Sequence, residues 1–237
     1  MNAALEYAIK YSISGKIIVE EFLEKKGCSS DTDSYAESGV LKFVSFSAQR
    51  FDENAVNPYT PAAYSWPSTF TVEEERYLTS EIQRLITLLD MKTAVFNIET
   101  RVGMNGKPYI MELTPRGGGN RLCEMLRYAT SVDLITAITR AMVGDDPGIV
   151  EQKPYDGHWA EIILHADKSG IFQRLEVDAT LNAEVVEEDL WVKPGDFVHG
   201  FEGANDAIGT LVLRFANSSE LERNLQKLDK RISVIVK

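Results

Sequence analysis

The stretch Thr93–Asn120, TAVFNIETRVGMNGKPYIMELTPRGGGN, constrains this chain more than any other. Two apolar, β-prone runs flank Asn105-Gly106, a pair that favours a tight hairpin turn because both residues tolerate positive φ. With those two residues as the loop, Met104 faces Lys107 and Glu99 sits directly opposite Glu112. Side chains alternate along a strand. Both glutamates therefore share one face with Asn97 and Thr114, while Phe96, Ile98, Met111 and Leu113 take the other. A slip of one residue would send the two glutamates to opposite faces. Like charges directly opposed weaken a hairpin by roughly 0.2–1 kcal/mol, so the arrangement calls for a compensating partner. A divalent cation supplies one, since Mg²⁺ takes oxygen ligands, often one or two carboxylates together with substrate phosphates.

The second run leads into Thr114-Pro115-Arg116-Gly117-Gly118-Gly119. An arginine fork suits phosphate or carboxylate oxygens, and glycine lets backbone come close to a ligand. The same residues also permit a plainer arrangement, a surface hairpin in which Arg101 neutralises both glutamates and an ordinary glycine-rich loop follows.

The 237 residues, 44% hydrophobic and 26% charged, can bury a substantial core. A net charge of −11 argues against nonspecific binding to nucleic acid or to an anionic membrane. Cys28 and Cys123 form no paired motif, which fits a reducing, cytoplasmic setting. The first 20 residues mix Glu and Lys with short apolar runs, so neither a signal peptide nor a membrane span is expected.

In chain order, Asn2–Tyr11 reads as a short helix and Lys16–Leu23 as a largely buried strand that ends among acidic residues. A polar loop from Glu24 to Asp33 precedes a hairpin with strands near Ser34–Glu37 and Val40–Gln49, and Arg50 stands at its end. Residues 51–70 hold three prolines and no period, and read as a long ordered loop. Thr71 and Glu74 form a capping box ahead of a helix striped by Leu78, Ile82, Leu85, Ile86 and Leu89. Further helices are expected over Leu122–Tyr128 and Ser131–Val143, the latter burying Leu134, Ile135, Ile138 and Met142. Beyond Pro154 the pattern turns mostly to strands, with one helix capped by Ser219 and Glu222. The fold class expected is α+β. Residues 1–153 form an antiparallel sheet with packed helices, and residues 154–237 form a small, mostly β domain.

At this level the residues resemble the ATP-grasp superfamily, specifically its carboxylate–amine ligases. The paired glutamates followed by Glu112-Leu113-Thr114-Pro115-Arg116 and glycines resemble its metal and phosphate motif. Val19-Glu20-Glu21-Phe22-Leu23 is similar to its adenine-contacting hinge strand, and Pro67-Ser68 before the long helix is also similar. The resemblance implies the C-terminal lobe of that fold, followed by a small C-terminal domain. It implies a reaction in which Mg-ATP phosphorylates a carboxylate to an acylphosphate that an amine then attacks. Glu99, Glu112 and Thr114 would hold Mg²⁺. Arg116 would bind the transferred phosphoryl group or the substrate carboxylate, with Gly117 and Gly118 beside the nucleotide. Arg50 would reach the γ-phosphate, while Glu20, Glu21 and Leu23 would contact adenine.

Two departures accompany the resemblance. Thr114 stands where the superfamily usually has Asn. The superfamily's N-terminal domain, early lysine and glycine-rich lid would all precede the hinge strand, and only fifteen residues precede Lys16. The expectation is therefore one part of a ligase, inactive alone and completed by an N-terminal part from the same gene or a separate chain. An exposed apolar docking face would also favour homo-oligomers. A non-catalytic nucleotide-binding or regulatory module of the same fold, and an unrelated α+β interaction protein, are the alternatives.

Overall fold

The structure is a computed structural model that describes residues 2–237. In chain order the elements are α1 (Asn2–Tyr11), β1 (Ser30–Glu37), β2 (Val40–Phe43), β3 (Ala48–Phe51), β4 (Pro61–Trp66) and α2 (Val72–Leu88). Next come β5 (Ala94–Val102), β6 (Pro108–Thr114), α3 (Leu122–Thr130) and α4 (Leu134–Met142). The remainder comprises β7 (His158–Leu164), β8 (Gly170–Val177), β9 (Val185–Leu190), β10 (Phe197–Val198), β11 (Gly209–Phe215), α5 (Ser218–Leu225), α6 (Leu228–Arg231) and β12 (Ile232–Val236). This is an α+β fold with antiparallel pairing throughout its three sheets. The sheets run in the order β2-β1-β5-β6, β3-β4-β7-β11-β9 and β10-β8-β12.

The long helix forms as its signals dictate. The Thr71 side chain accepts from the Glu74 amide and the Glu74 carboxylate accepts from Thr71 N–H, so two amides without helical partners are satisfied reciprocally. Leu78, Ile82 and Ile86 bury one stripe of α2 against Phe96 and Ile98 on the back of the four-stranded sheet. The front of that sheet is covered at one end by α3, whose Leu122, Met125, Leu126 and Ala129 share a core with Tyr35, Val95 and Tyr64.

Several elements differ from expectation. Residues 51–70 are not all loop: Pro61–Trp66 is β4, flanked on both sides by β3 and β7. Proline at its first residue is compatible with a strand start. The strand expected near Ser34–Glu37 begins earlier, at Ser30, so that the polar run SDTDSYAE is all β1, paired along its length with β5 and almost wholly buried. The expected division at residue 153 does not separate the sheets, because β3 and β4 hydrogen-bond into the same sheet as β7, β11 and β9. Lys16–Leu23 is extended but joins no sheet, and Ile18, Val19 and Phe22 are exposed. Its apolar pattern specifies a strand only when a neighbour offers matching N–H and C=O groups, and none of the described residues does so. In α4 it is Leu134 and Ala137 that are buried, whereas Ile135 and Met142 are exposed. Helix α5 is capped by Asn217, whose side chain accepts from the Glu220 amide, and not by Ser219 with Glu222. That leaves Glu222 free for another partner.

Candidate functional site

The Glu99 hairpin reaches its expected pairing by an unexpected route. The turn is not two residues long. Gly106 N–H donates to Gly103 O at 2.8 Å and Gly103 N–H to Lys107 O at 2.9 Å, while Gly106 takes φ +74°. This three-residue loop with glycine in the left-handed region pairs Arg101 with Tyr109 and Thr100 with Ile110, one residue away from the two-residue register. A bulge between Glu99 and Thr100 then leaves Met111 unpaired and restores Glu99 opposite Glu112, Ile98 opposite Leu113 and Asn97 opposite Thr114. Met111 is consequently part-exposed instead of packed under the sheet.

On the other side of β5, β1 brings a further carboxylate into the row. Asp31 is registered with Glu99 and Asp33 with Asn97. Cross-strand partners share a face, so two rows form across three strands: Asp31, Glu99, Glu112 and Asp33, Asn97, Thr114. Asn97 Nδ2 lies between the two aspartates and donates to Asp31 Oδ1 at 2.8 Å and to Asp33 Oδ1 at 3.3 Å. Tyr64 Oη donates to Asp31 Oδ2 at 3.2 Å. Thr114 Oγ1 donates to Glu112 Oε1 at 2.7 Å and so fixes that carboxylate's orientation.

The electrostatics follow from crowding and burial. Burial pushes the Glu99 carboxyl above its ordinary value, and the charges of Asp31 and Glu112 push it further, against a pull downward from Arg101. Asp31 is likewise raised, first by burial, with Asn97, Tyr64 and the Arg116 charge acting the other way. Among the described residues Arg101 pairs with Glu99 and not with Glu112, and most of its donors go elsewhere. Its guanidinium donates to Leu23 O at 2.8 Å and Ser29 Oγ at 3.2 Å, and is 3.8 Å from Glu99. No group of three or more His, Cys, Asp or Glu side chains among the described residues makes a metal site by itself. Two facing carboxylates, Glu99 and Glu112, fit an Mg²⁺ ion completed by phosphate or water oxygens.

The glycine-rich loop is tied to this face through Asp33. Its fully buried carboxylate accepts from Gly118 N–H at 2.8 Å and from the Cys123 thiol at 2.9 Å. Burial raises both Asp33 and Cys123. Gly118 therefore spends its amide within the protein. A Cβ there would lie 2.6 Å from Asn97 Nδ2 and 2.6 Å from Leu122 Cδ1, so packing is what requires glycine at this position. Gly117 and Arg116 remain exposed. Among the described residues the Arg116 guanidinium makes one hydrogen bond, to Gly117 O at 2.9 Å, and forms no ion pair.

The other expected site residues are placed differently. Arg50 is not delivered to the hairpin; it makes a two-pronged pair with Glu222 of α5, at 2.6 and 3.2 Å, and also reaches Ser65. The charge that would have met a phosphate is already answered. Glu20 and Glu21 are exposed on the unpaired extended segment, and Leu23 is tied to the hairpin only through its carbonyl bond to Arg101. Asp31 and Asp33 were expected in a solvated loop. The signal that could have found them is their i, i+2 spacing within an uninterrupted polar strand, which buries two carboxylates on one face.

The family described as L-amino acid ligase C-terminal domain 2 matches residues 162–237. No curated protein sequence matches the chain. Among solved structures, the L-amino acid ligase from Bacillus licheniformis superposes with a TM-score of 0.80 at 14% identity, covering 99% of this chain and 59% of that one. Phosphoribosylglycinamide synthetase from Anaerococcus prevotii gives 0.76 at 19% identity, covering 97% and 58%. The biotin carboxylase domain of Hydrogenobacter thermophilus 2-oxoglutarate carboxylase, solved as a dimer with MgADP and bicarbonate, gives 0.73 at 16% identity, covering 100% and 52%. The chain thus spans little more than half the length of each. No helix among the described residues is long and apolar enough to cross a membrane.

Proposed function

We propose that this chain, which has the C-terminal fold of the ATP-grasp carboxylate–amine ligases, is the metal- and phosphate-binding part of such a ligase. The reaction moves the γ-phosphoryl group of ATP to a carboxylate oxygen and releases ADP. An amine then attacks the acyl carbon, and phosphate leaves. Mg²⁺, which Glu99 and Glu112 would hold, would supply charge neutralisation in the first step.

The chain's own residues divide the work. Glu99 and Glu112 hold the metal, and Thr114 aims the Glu112 carboxylate through its hydroxyl. This role suits threonine without requiring direct ligation. Arg116, free of any acidic partner, meets the transferred phosphoryl group or the substrate carboxylate. Asp33 keeps the glycine-rich loop against the metal face by holding Gly118, which fixes where Arg116 begins. Glu20 and Glu21, on a segment that joins no strand, offer backbone amides and carbonyls, and Leu23 its amide, while the Leu23 carbonyl is held by Arg101; this suits contact with an adenine edge.

One observation carries this reading: the bulge at Met111 brings two like-charged glutamates directly opposite each other, an arrangement that calls for a cation, on the face that Arg116 adjoins. The test is ADP release by the assembled enzyme, this chain together with its N-terminal part, screened against pairs of small carboxylates and amines. Glu112→Gln should abolish turnover without altering the folded spectrum. Mg-nucleotide binding without ADP release for any pair would instead identify a non-catalytic binding module.

A further inference from the structure

A cavity of about 470 Å³ opens beside the glycine-rich loop, between the start of β5 and helices α3 and α4. Its wall is mainly apolar, formed by Val95, Leu122, Ile135, Ile138 and Met142, with Arg116 on its lining. Val95 lies two residues from Asn97 and four from Glu99, so the cavity occupies the same sheet face as the carboxylate rows. Ile135 and Met142 are 46% and 81% exposed on α4, although the helix buries other residues well. Two of the cavity's cations differ in availability. Arg121 is paired with Glu124 and Glu187, both at 2.6 Å, while Arg116 has no acidic partner among the described residues. One free guanidinium beside an apolar hollow fits a monoanion with an apolar body. A polyanion would find only one free charge to meet it.

We propose that this cavity receives the apolar side chain of the carboxylate substrate, with Arg116 holding the carboxylate at its mouth beside the metal face. This rests on the ligase reading above and narrows it to hydrophobic acids. The volume falls within the range of about 300–1,000 Å³ usual for small-molecule pockets, enough for a branched aliphatic or aromatic side chain.

The test follows the methionine methyl resonances of the full chain during titration with isovalerate, acetate and the neutral isovaleramide, with Met142 assigned by Met142→Leu. Isovalerate should shift the Met142 methyl saturably. Acetate, which lacks the branched body, should bind about tenfold or more weaker. Isovaleramide and the Arg116→Ala variant should each cost about tenfold, because the charge-assisted bond is lost. Ile138→Trp, which fills the cavity, should abolish the shift. Equal affinity for isovaleramide, retention of binding in Ile138→Trp, or no saturable shift would overturn the proposal. Mg-nucleotide binding measured on the same samples separates the two failures. If nucleotide binds and isovalerate does not, the pocket assignment alone falls; if neither nucleotide nor metal binds, the ligase reading falls with it.

Discussion

Glu161 yields a prediction whose sign is unusual. It lies on β7 between Tyr64 of β4 and Val212 of β11, is fully buried, and neither carboxylate oxygen has a hydrogen-bond partner in the protein. Burial, opposed only in part by Arg121, pushes its carboxyl up to about 8 from an ordinary 4.5. The folded form therefore keeps a proton that the unfolded chain releases. With the folded value raised, the full stability is present below about pH 4.5 and is lost as pH rises toward 8. The decline is about 1.4 kcal/mol per pH unit, which over that interval amounts to roughly 5 kcal/mol. Glu161→Gln keeps the shape and removes the ionisation. It should match the native protein at pH 4 and exceed it by roughly 3 kcal/mol at pH 7, with the slope between them reduced by the share that Glu161 contributes. Urea unfolding at a series of pH values measures this. A variant less stable than the native protein at pH 7 would refute the reasoning, because it would mean that the Glu161 charge is paired and useful.

Other expectations concern the site and its supports. Gly118→Ala should cost about 1–3 kcal/mol by urea unfolding, since the new methyl meets Asn97 and Leu122 at 2.6 Å. Gly119→Ala meets nothing within 4 Å and serves as the near-neutral control. Arg50→Ala should lower stability by roughly 1–2 kcal/mol through loss of the Glu222 pair, yet leave nucleotide affinity unchanged; a selective loss of affinity would return Arg50 to the site. Because the Glu99 carboxyl is raised, Mg²⁺ should compete with a proton there. Its affinity should fall on acidification, and calorimetry in buffers of different ionisation enthalpy should detect proton release on binding.

How much was legible in the sequence depended on whether a segment carried its own partner. The Thr71–Glu74 capping box and the Leu78, Ile82, Ile86 stripe are local signals, and α2 obeys them. The Glu99–Glu112 pairing was also reached, but through two compensating departures. The loop holds one more residue than Asn105-Gly106 alone, and a bulge at Met111 takes the extra residue out of register. Strand face is conserved across that exchange even though the turn is not. The second half of β1, Ser34–Glu37, is legible as a hairpin strand, but its first half, Ser30–Asp33, is not, because its residues are satisfied across strands, as in Asn97 with Asp31 and Asp33, and no single-segment pattern reports that. Lys16–Leu23 shows the converse: a strand-like sequence stays unpaired where no neighbour is supplied. Likewise Arg50 looked free until α5 placed Glu222 against it.

Manganese binding by the chain, followed by electron paramagnetic resonance with and without ATP, tests the central claim most directly, since Mn²⁺ accepts the oxygen ligands of a magnesium site. The prediction is a bound-metal signal that strengthens with ATP and disappears in the Glu99→Gln, Glu112→Gln double variant while its circular dichroism is unchanged. An undiminished signal in that variant would mean that the two facing glutamates are not the metal ligands.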